Sequence, residues 1–145
     1  GHLKLVSANA DDHPEIHPNY LATETDQNTI VKGIQIARKI AQFEPLKAHV
    51  TEEYQPGHEV GMDDYDATLN WARNTAVTIY HPTGTCKMGS DPMAVVDHRL
   101  RVHGLQGLRV ADASIMPVIT SGNTNAPSIM IGEKVSDMIL EDAVL

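Results

Sequence analysis

The sequence predicts an α+β fold with few strands, and three observations predict it. Two long stretches repeat apolar residues at three- and four-residue spacing, a third follows a Pro-containing start, and strict apolar/polar alternation is confined to short runs. Each Gly- or Pro-rich connection falls between these periodic stretches rather than inside them. At 145 residues, 41% of them apolar, the chain has enough material for a core of ordinary domain size.

In chain order, "HLKLVS" (2–7) alternates, with Leu3 and Leu5 on one face and Lys4 on the other, as a strand does. "ANADDHPEIHPNYL" follows; its two prolines push their predecessors toward extended backbone and exclude a helix, so an extended loop is expected. A helix is predicted over Asp26–Phe43, capped by Thr25 or Asp26 and ended by Pro45. Its buried stripe is Ile30, Val31, Ile34, Ala37, Ile40 and Ala41, with Gln27, Lys32, Gln35 and Lys39 facing away. Residues 46–61 read as irregular. A second helix is predicted over Asp64–Ile79, with Asp63 as N-cap, Asp64 and Asp66 suiting the helix dipole, and Leu69, Ala72, Ala76 and Trp71 on its inner side. Short strands are expected at Leu100–Val102 and Leu108–Ala111 around a Gly-containing turn. The last helix is predicted over Ala126–Asp142, with Asn125 as its cap and Pro127 in its first turn, where a missing N–H costs nothing. Its apolar residues are Ile129, Met130, Val135, Met138 and Ile139.

Charge and composition exclude several functions. The net charge of −8, with no Lys/Arg cluster to offset it, opposes binding to nucleic acid or to an anionic membrane face. No apolar run approaches the roughly 18 residues a membrane span requires, so no membrane segment is expected. The single cysteine, Cys86, excludes an intrachain disulfide and a multi-thiolate zinc site, and makes a reducing, cytoplasmic location the expectation. Eight histidines invite a metal reading, yet none is expected to hold one. His13 and His17 are four apart, but Pro14 and Pro18 break the helix that would align them, and no H-E-x-x-H is present. "TGTCKMGS" lacks the order of a phosphate loop, and G-x-G-x-x-G is absent. Cys86 reads as a small buried hydrophobe rather than a nucleophile.

Two loops remain, "YHPTGTCKMGS" and "TSGNTNAPSIMIGEK". His81 opens the first, where the second predicted helix stops; a helix C-terminus favours its protonated form and desolvation opposes it. His81 can thus be a base poised near neutrality or a plain helix cap. The second loop runs into the last helix, whose N-terminal N–H groups and positive dipole end suit a delocalised negative charge such as that of a reduced cofactor ring.

"AVTIYHPTGTCKMG", "VVDHRLRVHGLQGLRVADASIMP" and "SGNTNAPSIMIGEKVSDMIL", in that order, resemble the C-terminal part of the glucose–methanol–choline (GMC) oxidoreductases, flavoproteins that oxidise alcohols. The likeness is greatest to the choline dehydrogenase-like, alcohol dehydrogenase branch; "PEIHPNYL" and "IVKGIQIARKIA" extend it to nearly the whole chain. The resemblance implies that His81 is the general base, taking the hydroxyl proton while hydride passes to flavin, and that Asn123 hydrogen-bonds and orients the substrate oxygen. It implies that Asp112 and Ala113 line the flavin ribityl and pyrophosphate, and that Asn125, Ala126 and Pro127 start a helix under the flavin pyrimidine. It further implies a fragment of a two-domain flavoprotein: residues 1–80 belong to the substrate-binding domain, and 81–145 carry the active-site His and the strand and helix that return to the FAD-binding domain.

His98 departs from the family pattern, standing where Pro is expected after Asp97. The dinucleotide-binding, N-terminal half is not in this sequence. FAD is therefore expected in the full-length enzyme and not retained by this chain alone, which is expected to be inactive. The missing half is its expected partner, besides a small-molecule alcohol, and homo-oligomerisation through apolar surface is a further expectation. A non-catalytic binding module of the same fold is the alternative reading; the presence of both His81 and Asn123 speaks against it.

Overall fold

A computed structural model describes residues 1–143. The chain divides into two compact units, Gly1–Val77 and the residues from Thr78 onward.

The first unit opens with two short antiparallel strands, β1 (His2–Lys4) and β2 (Glu15–His17), in the register His2↔His17, Leu3↔Ile16, Lys4↔Glu15. β1 is shorter than the alternation suggested, and β2 lies inside the segment expected to be a loop. Pro14 and Pro18 explain its length: they flank the paired residues and cannot donate to the ladder themselves. The imidazoles of His2 and His17 stack across the pair, 4.6 Å between centroids.

Helix α1 (Glu24–Ile40) begins earlier than expected and is capped by Thr23, whose Oγ1 accepts from the Asp26 N–H at 3.1 Å; Thr25 and Asp26 are not the cap. The helix ends at Ile40 instead of Phe43. Of the expected stripe only Val31 is fully buried; Ile30, Ile34 and Ala41 are half-buried, and Ala37 and Ile40 are exposed. Gln27 is not outward-facing: it is half-buried and donates from Nε2 to the Leu21 carbonyl at 2.9 Å. Arg38 fastens α1 to the following irregular segment, donating to Glu53 Oε2 (2.7 Å) and to the Val60 carbonyl (2.8 Å). That segment includes a 3₁₀ turn, Leu46–His49.

Helix α2 (Tyr65–Thr75) is capped by Asp64, not Asp63: Asp64 Oδ1 accepts from the Ala67 N–H at 2.9 Å. It stops at Thr75, with Ala76 extended, short of the expected Ile79. Val77, Thr78 and Ile79 are β-branched, a run with low helix propensity, and the chain stays extended toward His81-Pro82. Leu69 and Ala72 are buried as expected, along with Thr68, and face α1 about Val31. Trp71 is half-buried, and Ala76 lies outside the helix.

The second unit is built on helix α3 (Asn125–Ala143). One apolar cluster, Val96, Leu100, Ile115, Met116, Ile131 and Val135, forms its core. Ile131 and Val135, four apart, supply the inner face of α3, while Ile129, Met130, Ile139 and Leu140 are about half exposed or more. The strands expected at Leu100–Val102 and Leu108–Ala111 reduce to isolated bridges, Val96↔Val102 and Arg101↔Arg109, joined by a parallel bridge Met88↔Val96. Leu100 is the reason: its φ of 62° is left-handed, so the backbone turns where a strand would run on.

Asp97 sets that turn. Its Oδ1 accepts from the N–H groups of Arg99 (2.8 Å) and Arg101 (3.0 Å), and its Oδ2 from Arg101 Nε (2.9 Å), which places Leu100 in the core at 3% exposure. Burial alone would raise the Asp97 pKa; the Arg101 N–H and guanidinium and the Arg99 N–H outweigh it and hold the group at about 2, against an ordinary 3.8. A lowered folded-state pKa contributes stability that is complete above the unfolded value and lost as pH falls through the folded one. Asp97→Asn is therefore expected to reduce the stability of this unit by about 1 kcal/mol at neutral pH. The gap between wild type and variant should close as pH falls from 3.8 to about 2; denaturant melts at a series of pH values measure it, and a gap that does not change with pH would refute the assignment.

Two arginines secure the far end of α3. Arg99 donates to the Met138 carbonyl (2.9 Å), Glu141 (3.0 Å) and Asp142 (2.8 Å), and Arg109 also donates to Asp142. Cations at a helix C-terminus satisfy its last carbonyls and oppose its dipole.

Candidate active site

His81 leads a loop that is tied down at several points. Tyr80, just before it, has a left-handed φ of 62°, and its N–H donates to Thr78 Oγ1 at 3.1 Å, so the chain turns immediately ahead of the imidazole. Beyond it, the Cys86 N–H donates to the Ser114 carbonyl (2.9 Å) and the Met88 N–H to the Ile115 carbonyl (2.8 Å). Gly84 has φ +83°, and a Cβ there would stand 3.4 Å from the Met116 carbonyl oxygen, so this stretch lies close on the backbone beneath it.

That backbone is a 3₁₀ turn, Ala113–Ile115, capped by Asp112 through a 2.7 Å bond from the Ser114 N–H to Oδ1. The turn packs against α3, with Ala113 half-buried against the core and Ile115 1% exposed. The two motif loops are thus held by one buried framework.

They meet in a single hydrogen bond: His81 Nδ1 lies 2.8 Å from Thr124 Oγ1. His81 is half-buried and Thr124 is buried. The position of His81 differs from the expectation in one respect. It does not terminate a helix, because α2 ends at Thr75 and Ala76–Tyr80 intervene; its neighbour is instead the start of α3.

Asn125 is not the cap of that helix. The Thr124 carbonyl accepts the first intrahelical bonds, from the Ser128 N–H (3.0 Å) and Oγ (2.7 Å), which makes Thr124 the capping residue and Asn125 the first helical one. Asn123 directly precedes Thr124 and is exposed. Asn125 and Ala126 are exposed in the first turn, and Pro127, half-buried, is third in it. Neither the Asn125 nor the Ala126 N–H has a partner among the described residues, as the first N–H groups of a helix cannot bond within it. This end of α3 therefore offers donors to an electron-rich group. Asp112 is exposed, with one carboxylate oxygen committed to its turn, and suits a hydroxyl donor better than a phosphate.

Thr124 is the residue that sequence reasoning passed over. A signal existed: in Thr124-Asn125-Ala126-Pro127, the third helical residue is a proline. A capping hydroxyl commonly accepts from the N–H of the second or third helical residue, and here the third has none.

Known proteins carry the same arrangement of sequence. The C-terminal family model of the GMC oxidoreductases matches residues 1–132. Mitochondrial choline dehydrogenase of Mus musculus is 51% identical over 142 residues, covering 96% of this chain and 23% of that protein. Alcohol dehydrogenase [acceptor] of Pseudomonas putida is 47% identical over 140 residues, covering 97% and 25%. Among solved structures, pyridoxine 4-oxidase from Mesorbium loti superposes with a TM-score of 0.81 at 33% identity, over 89% of this chain and 25% of that one. The chain spans about a quarter of the length of these relatives. Its mix of helices and a small sheet resembles the corresponding part of the GMC flavoprotein fold. With the family model covering nearly all of it, the chain belongs to the GMC oxidoreductases.

Proposed function

We propose that this chain is the C-terminal part of an FAD-dependent oxidoreductase that oxidises a primary or secondary alcohol, choline among the candidates. The observation that carries the reading is the His81–Thr124 contact. It sets an imidazole beside the exposed Asn123 and the open first turn of α3, where a substrate oxygen and a cofactor can be met together. The identities of 51% and 47% to a choline dehydrogenase and an alcohol dehydrogenase support it.

The residues present fit FAD. Asn125 and Ala126 can direct N–H groups to the electron-rich pyrimidine of the flavin, Pro127 shapes the same turn, and Asp112 with Ala113 can line the ribityl chain and pyrophosphate, Asp112 toward a hydroxyl. Bound there, FAD supplies the acceptor for the hydride that leaves the alcohol carbon. His81 takes the hydroxyl proton at Nε2, because Nδ1 is engaged by Thr124. Asn123 donates its amide N–H to the substrate oxygen; an amide cannot act as a base at neutral pH, so proton transfer rests on His81 alone. With FAD held there, the alcohol would give its hydroxyl proton to His81 and its hydride to the acceptor that FAD would supply, leaving the carbonyl product.

In this reading residues 1–80 contribute to the substrate-binding domain and 81–145 to the active site and the FAD-binding domain, whose dinucleotide-binding part lies in the remainder of the protein. The test is anaerobic mixing of the purified full-length protein with choline, a short aliphatic alcohol and an aryl alcohol. Bleaching of the oxidised flavin band by at least one of them is the expected result. A protein without flavin, or a flavin that none of the three reduces, would overturn the proposal.

A further inference from the structure

We infer that Thr124 is a positioning residue for His81: its hydroxyl accepts the Nδ1–H of the imidazole and holds the ring in the tautomer whose Nε2 carries the lone pair. The inference rests on the reading of His81 as the base.

A neutral imidazole has one N–H and one lone pair, and the partner of one nitrogen decides which form the other presents. A hydroxyl donating to Nδ1 would leave Nε2 protonated and useless as a base. A hydroxyl accepting from Nδ1 leaves Nε2 open. The second arrangement also survives the reaction, since Nδ1 keeps its proton and its 2.8 Å partner when Nε2 gains one. No ring flip or hydroxyl inversion is then required during turnover.

Thr124 is built to be that acceptor. It caps α3, and a capping hydroxyl ordinarily accepts from a first-turn N–H. Pro127 removes the third of those N–H groups, and the Thr124 oxygen is bonded to His81 instead of to its own helix. The oxygen is also fixed in space. Thr124 is 8% exposed, its carbonyl is held by Ser128 through both N–H and Oγ, and β-branching limits its χ1. At 8% exposure the site gives water little access to replace the hydroxyl. His81 reaches this anchor across 43 positions of sequence, so one side chain both sets the tautomer and ties the two motif loops together.

The test uses Thr124→Val, Thr124→Ser and His81→Ala in the full-length protein, each checked for flavin content. Thr124→Val keeps the shape and removes the acceptor. It should lower kcat by about tenfold, the rate equivalent of one net hydrogen bond, with KM little changed. Thr124→Ser restores the hydroxyl and should return most of the loss. Nitrogen chemical shifts of ¹⁵N-histidine-labelled wild type should show His81 protonated at Nδ1 while neutral, and the Val variant should populate the Nε2–H form. If Thr124→Val turns over like wild type while His81→Ala does not, the inference is wrong and the reading of the base stands. If His81→Ala is also unimpaired, the reading of the base fails with it. Should the Val variant not fold, the wild-type spectrum decides: an Nε2–H tautomer overturns the inference.

Discussion

His81→Ala in the full-length protein is expected to lower kcat for alcohol oxidation by about 10²- to 10⁴-fold, the range over which a positioned general base contributes. The effect should be large because no second base stands beside His81 among the described residues. Asn123, the neighbouring polar side chain, is an amide and cannot take a proton. Thr124 is a neutral hydroxyl with its oxygen committed to the imidazole. Asp112, the acid nearest in role, caps its own turn through Ser114. Removing the imidazole therefore takes away the one oriented base that the described residues set at this place, and the alcohol must lose hydride without it. Stopped-flow measurement of flavin reduction by the alcohol reads the chemical step directly. A change of less than about threefold would remove the mechanism, whereas a general base predicts a loss at least thirty times that size. The loss should fall on reduction and not on flavin content, since the side chains assigned to the cofactor, Asp112 to Ala113 and Asn125 to Pro127, are untouched.

Ile115→Ala is expected to destabilise the second unit by about 2–5 kcal/mol, the cost of deleting a large aliphatic side chain from a packed core. Ile115 is 1% exposed and among the largest fully buried side chains of the described residues. It touches function at one remove. Its carbonyl receives the Met88 N–H, its 3₁₀ turn carries Ser114, which receives the Cys86 N–H, and its side chain packs in one cluster with Ile131 of α3. A cavity there loosens the His81 loop from the helix that carries Thr124. Denaturant unfolding followed by far-ultraviolet dichroism, which reads the loss of α3, measures the effect, and Ile115→Val should cost about 0.5–1.5 kcal/mol. A loss below about 1 kcal/mol for Ile115→Ala would mean that this turn does not anchor the framework.

The helices were legible because amphipathic spacing and capping residues are local. Their ends were legible only to within a few residues. Thr23 and Asp64 cap where Thr25 or Asp26 and Asp63 were expected, because adjacent Thr and Asp residues compete and local spacing cannot choose among them. Around Leu100 the alternation was real, yet a left-handed residue stabilised by the Asp97 carboxylate divided the strand. In α3, a helix apolar on several sides, the pattern could not single out Ile131 as core while Ile129 and Met130 stay exposed.

What the sequence determined by itself is chemical inventory and order: an imidazole in a Gly/Thr loop, an amide two residues ahead of a helix, and motifs arranged as in the GMC oxidoreductases. These are carried by residue type and spacing along the chain. Tertiary structure decided which atoms meet. His81 was read as a helix terminus, and Asn125 as a cap; folding gave both places to other residues, because α2 stops at Thr75 and Thr124 takes the cap. The bond between His81 and Thr124 joins side chains 43 positions apart, in a loop bonded to the 3₁₀ turn at Ile115 and at the start of the helix that packs against that turn. Local rules assign a capping threonine to its own helix; a proline in that helix and an imidazole from a distant loop redirect it.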